Sequence, residues 1–131
     1  MKKLLTLILA AALLASALVF TSCGASGPTV AIPNDTTNEA RALLLLEAAG
    51  IIRLKEGAGI TATIKDIAEN PKKISFKEVE AAQIPNVRQD VDYAVINSNY
   101  AIDAGINPVT DSLIIEGAYS AYANILACKE G

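Results

Sequence analysis

The sequence predicts an α/β domain, a mainly parallel sheet with flanking helices, carried behind an apolar leader. Three observations lead there. Strand-sized apolar runs alternate with helical patterns between Thr29 and Ala127, the order that builds layered α/β domains. One run, Tyr93-Ala94-Val95-Ile96, is apolar throughout, as a strand buried on both faces requires. The first 22 residues follow a different pattern from everything after them.

In that leader Lys2 and Lys3 precede a 17-residue run, Leu4 to Phe20, interrupted only by Thr6 and Ser16. Small residues then lead to Cys23 and a Gly24-Ala25-Ser26-Gly27 stretch. A charged start, an apolar middle and small residues at a cut site describe a secretory signal peptide. A cysteine at the cut makes it a lipoprotein signal, with residues 1–22 removed, Cys23 acylated and 23–28 a tether. Phe20 stands where that pattern usually has Leu. The competing reading is an uncleaved anchor, for which a 17-residue run is short of the roughly 20 apolar residues of a spanning helix.

Element by element, Thr29–Ile32 reads as a strand stopped by Pro33. Thr36 and Glu39 fit a capping box, opening a helix from Thr37 to Ala49 with Gly50 as its stop. Leu43 to Leu46 cover most of its circumference, so it should pack on more than one side. Ile51 to Ile60 is a turn-rich connection. Thr63 to Glu69 suggests a short helix ended at Asn70-Pro71, and Ile74 to Val79 alternates as a half-buried strand. Ala81 to Val87 is ambiguous around Pro85. Tyr93–Ile96 is the central strand, Ser98–Ala104 a helix stopped by Gly105, and Leu113–Ile115 and Ala123–Ala127 two further strands.

Without its leader the chain keeps 109 residues, one small domain. It then has 9 basic and 14 acidic residues, net charge −5, which argues against a nucleic-acid partner. Histidine is absent, removing the commonest general base and transition-metal ligand. Two cysteines, one of them lipidated, exclude a disulfide framework. Cys128 is expected to be a free thiol buried in its strand. No cofactor motif occurs, and Asp90 and Asp92 read as a solvated turn rather than a metal site.

Arg41 is the first candidate functional residue. A cation in the second turn of a helix opposes the positive helix end, and a bound anion shared with the free N–H groups would compensate. Asn38, three residues earlier, shares its face. The alternative is a solvated Arg paired with Glu39 or Glu47. Asn97 ends the central strand, where ligands collect in open α/β sheets; otherwise it caps the following helix. Asn124, just inside a strand, needs partners if buried.

At these residues the chain resembles the methionine-binding lipoproteins of the NlpA/MetQ type. The likeness runs through TVAIPNDTTNEARALLLLE from Thr29, IKDIAENPKK from Ile64, EVEAAQIP from Glu78, DYAVINSNYA from Asp92 and AYANIL from Ala121. The resemblance implies one lobe of a periplasmic-binding-protein-like (type II) fold. It also implies a substrate-binding lipoprotein that serves the membrane subunits of an ABC importer and is anchored to the bilayer through Cys23. Arg41 would pair with the carboxylate of methionine or a related amino acid, with Asn97 and Asn124 as polar pocket residues. Family members are about twice as long, with a first lobe between the lipidated Cys and the TVAI strand. The chain therefore resembles a truncated member in which binding is impaired. A lipid-anchored remnant or interaction module that binds no solute is the alternative function. An enzyme lacks any nucleophile–base pair here.

Overall fold

The computed structural model describes residues 26–117 and 124–128. The leader, Cys23 and its lipidation therefore lie outside the described residues, as does Ala123 at the start of the last predicted strand. Among the described residues no helix is long and apolar enough to cross a membrane.

Among the described residues the strands and α-helices follow in the order β1 (Thr29–Pro33), α1 (Thr36–Ala48), β2 (Arg53–Leu54), β3 (Ile67–Glu69), β4 (Ser75–Val79), α2 (Ile84–Val87), β5 (Tyr93–Asn97), α3 (Ser98–Asp103), β6 (Ile114–Ile115) and β7 (Asn124–Cys128). Five strands form one sheet in the order β4-β1-β5-β7-β6, and β2 and β3 pair separately as an antiparallel arm. β1 runs parallel to β4 and β5, whereas β7 is antiparallel to both β5 and β6. Among the described strands of this sheet, four thus point one way and β7 is reversed. This is the mainly parallel sheet that the sequence predicts.

Period-two alternation sends successive residues of the central strands to opposite faces. Val30, Ile32, Val95 and Leu126 meet Ala40, Leu43 and Leu46 of α1 in one buried cluster. Ala31, Ala94, Ile96, Ile125 and Ala127 meet Ile84, Val91, Ala101 and Ile106 in the other. Ala31, Ala94 and Ala127 are successive register partners across β1, β5 and β7. A row of methyl groups there leaves space for the fully buried Ile84.

The leucine run behaves as expected. Leu43, Leu45 and Leu46 are buried and Leu44 half-buried, because α1 touches β1 and β7 on one side and β2 and the 3₁₀ turn Gly59–Thr61 on another. Gly50 ends the helix with φ 68, and Gly105 follows α3 with φ 76, both left-handed positions that glycine adopts without steric cost.

Several expectations need correction. β1 continues through Pro33, opposite Val79. Asn34 N–H donates to Val79 O, so the missing N–H of Pro33 falls on the β5 side, beyond the last β1–β5 pair. The cap of α1 is Asp35, which accepts from Asn38 N–H at 3.0 Å. Thr36 is therefore already helical, and the Thr36/Glu39 capping box does not form. A capping box does occur at Thr63 and Asp66, where the Thr63 N–H and hydroxyl both reach Asp66 Oδ2 at 2.9 Å. These bonds hold the Asp66 carboxyl below its usual range. It opens only the 3₁₀ turn Ile64–Asp66, because Ile67–Glu69 is drawn out to pair with β2. Cys128, the last residue of β7, is exposed rather than buried. Gly27 donates to Lys73 O at 3.1 Å, so the chain is already docked on the sheet before Thr29.

Candidate functional site

Asn97 is the last residue of β5, and its cap position at the start of α3 involves no side-chain hydrogen bond. The capping alternative therefore fails. Its Nδ2 instead donates to Asn38 Oδ1 at 2.7 Å. Asn38 stands in the first turn of α1, which follows directly from the end of β1. The parallel pairing of β1 and β5 brings these two strand ends together.

The polarity of this cluster follows from its charged ends. Asp35 accepts only, and Asn38 Nδ2 lies 3.0 and 3.1 Å from its two carboxylate oxygens. Arg41 donates only, and its Nη1 is 3.4 Å from Asn38 Oδ1. Two fixed charges thus set the direction of the Asn38 amide, and Asn38 sets that of Asn97. The result leaves Asn97 Oδ1, the other end of that amide, as an acceptor. Asn97 is only 6% exposed, and this oxygen has no hydrogen-bond partner among the described residues. Leaving a buried acceptor unsatisfied costs on the order of 1–3 kcal/mol, so the position is poised for a donor.

Arg41 is 20% exposed at its side chain and turned toward these amides, not into solvent. Its Nη2 forms an ion pair with Glu116 Oε2 at 2.7 Å. The predicted partners are committed elsewhere: Glu47 Oε1 accepts from Leu54 N–H at 2.7 Å, and Glu39 Oε1 from Ile64 N–H at 3.0 Å. Glu39 is buried, 6% exposed. Burial, reinforced by the nearby carboxylates of Glu78, Asp66 and Asp35, raises its pKa, although the Ile64 N–H opposes the shift.

Asn124 opens β7 and is the direct register partner of Asn97. The fold thus brings Arg41, Asn38 and Asn97 into one bonded cluster and sets the backbone of Asn124 beside it. Glu116 went unnoticed in the sequence. It lies 75 residues from Arg41, and one acidic residue after a short apolar run carries no local signal. Asp92, read as a turn residue, anchors β1 by accepting from Thr29 N–H at 2.7 Å.

A larger hollow lies away from this cluster. An open apolar groove of about 840 Å³, lined by Val30, Leu46, Ile74, Tyr93, Leu113 and Leu126, sits toward the opposite ends of β1 and β5. Its lining offers few convergent polar groups, so the chemistry points to the amide cluster and not to the groove.

The family model described as NlpA lipoprotein matches residues 24–131. Membrane lipoprotein TpN32 of Treponema pallidum is 52% identical over 106 residues, 81% of this chain and 40% of that protein. D-methionine-binding lipoprotein MetQ of Escherichia coli is 42% identical over 106 residues, 79% of this chain and 39% of its own length. Among solved structures, a nutrient-binding protein from Burkholderia cenocepacia bound to methionine is 52% identical with a TM-score of 0.71, covering 79% of this chain and 44% of that one. The chain spans about 40% of the length of these curated relatives.

Proposed function

Since the chain belongs to the NlpA lipoprotein family, we propose that it is a membrane-anchored solute-binding lipoprotein for methionine or a related amino acid. It works by capture and not by catalysis. The observation that carries this reading is the opposed polarity of two neighbouring groups. Arg41 supplies donors suited to a carboxylate, and Asn97 Oδ1 supplies a buried acceptor suited to an ammonium group. A zwitterionic amino acid offers both. Asn38 links the two groups, and Asn124, the register partner of Asn97, would complete the polar pocket. The relatives' names, D-methionine-binding and methionine-bound, favour methionine as the ligand. Acylation of Cys23 would tether the protein to the bilayer at the extracytoplasmic face, beside the membrane subunits of an ABC importer.

Calorimetry on the full chain with L-methionine tests the reading. Heat at millimolar ligand that disappears in Arg41→Ala is expected, and an athermal titration confirmed by an unperturbed NMR spectrum would sink it.

The second reading, a lipid-anchored module that binds no solute, is favoured by one observation: Arg41 already holds a carboxylate, that of Glu116. Copurification with importer membrane subunits, with no methionine response, is the outcome that would select it.

A further inference from the structure

Glu116 follows the two-residue edge strand β6, and its carboxylate sits on the guanidinium of Arg41 with both side chains about three-quarters buried. Partial burial strengthens such an ion pair over one in open water. It also removes the net charge of the group proposed to receive the ligand, because the pair sums to zero. Asp35 adds a further negative charge one amide away, through Asn38. A ligand carrying only a carboxylate would therefore approach a guanidinium that already faces a carboxylate. A zwitterion brings its own cation, which Glu116 and Asn97 Oδ1 can both accept.

We propose that Glu116 is a specificity-determining residue: by balancing Arg41 it makes the site select a zwitterionic amino acid over the monoanion of the same shape. The proposal rests on the reading of Arg41 as the seat of the ligand carboxylate. A guanidinium carries five N–H donors in a planar fork, so sharing it between two carboxylates is geometrically ordinary. The location is also suited to tuning. Glu116 sits past the end of an edge strand, beside a small hollow between α1 and β6, and belongs to neither buried cluster.

The test compares two probes by NMR titration of the full chain: L-methionine, and 4-(methylthio)butanoate, which keeps the side chain and carboxylate but lacks the ammonium. The wild-type chain should prefer methionine. Glu116→Gln should reduce that preference by about tenfold or more, chiefly by tightening the butanoate, as expected for removing one charge from a partly buried pair. Glu116→Asp should retain it, and Glu116→Ala should repeat the glutamine result independently. Methionine binding with an unchanged preference in both Gln and Ala variants would overturn the proposal while leaving the receptor reading intact. Failure of both probes to perturb any of the four proteins would overturn the carboxylate-seat reading, and this inference with it.

Discussion

Asn97 Nδ2 donates to Asn38 Oδ1 at 2.7 Å across 59 residues of sequence, joining the end of the central strand to the first turn of the leucine-rich helix. Because Asn38 is itself held by Asp35 and Arg41, the contact transmits a fixed polarity to a buried amide. Asn38→Asp is expected to reverse that logic. It replaces the donor facing Asp35 by a second carboxylate and should cost about 1–3 kcal/mol of stability. Urea denaturation measures the loss, and methionine affinity should fall with it; an unchanged midpoint would refute the polarity argument.

Asp35 caps α1 as well as orienting Asn38. Asp35→Ala should cost about 1 kcal/mol as a lost helix cap. Asp35→Ser should recover most of the stability, since a hydroxyl can cap, but not the ligand affinity, since it cannot hold the Asn38 amide at two points. Equal recovery of both quantities would show that the orienting contact is dispensable.

Glu39 sets a pH dependence. Its pKa is raised above the ordinary 4.5 by burial, helped by neighbouring carboxylates, so the folded chain holds the proton more tightly than the unfolded one. The stability from this group is therefore fully present below pH 4.5 and is lost as pH rises through the folded value. Glu39→Gln keeps an acceptor for Ile64 N–H and removes the charge. The variant should melt higher at neutral pH and show a flatter stability profile between pH 4 and 7. A lower melting point at pH 7 would contradict the burial account. Asp66 and Asp111, whose pKa values are lowered by local N–H and hydroxyl donors, act in the opposite direction, losing their contribution as pH falls.

Leu43 is fully buried between α1 and the sheet. Leu43→Ala should destabilise by about 2–5 kcal/mol through lost burial and the cavity left behind. The exposed Ile60, changed to Ala, serves as the matched control and should move the denaturation midpoint far less.

Gly27 approaches the Lys72–Lys73 backbone so closely that a Cβ there would overlap both carbonyl oxygens. Gly27→Ala must displace main chain and not a flexible side chain, so it should lower the melting temperature by several degrees, as about 1 kcal/mol or more does in a domain of this size. Ser26→Ala, one residue earlier and exposed, should have little effect.

The sequence by itself determined the elements that local pattern controls. The apolar run Tyr93–Ile96 could only be a strand buried on both faces, Gly50 and Gly105 ended their helices through their own backbone freedom, and four leucines required a helix packed on two sides. It also singled out Arg41, Asn38, Asn97 and Asn124, since a cation near a helix start and amides at strand ends are visible as local oddities. Elements stabilised by distant partners depart from their local pattern. Ile67–Glu69 left its predicted helix to pair with β2, and Pro33 stayed in β1 because its missing N–H falls on the β5 side, beyond the last β1–β5 pair. Only tertiary structure decided who meets Arg41: Glu116 carries no mark in the chain, and its role arises from an edge strand folding back beside α1. Backbone propensity acts over a few residues and can be read along the chain, whereas the sign and partner of a charge depend on what folding brings within 3 Å of it.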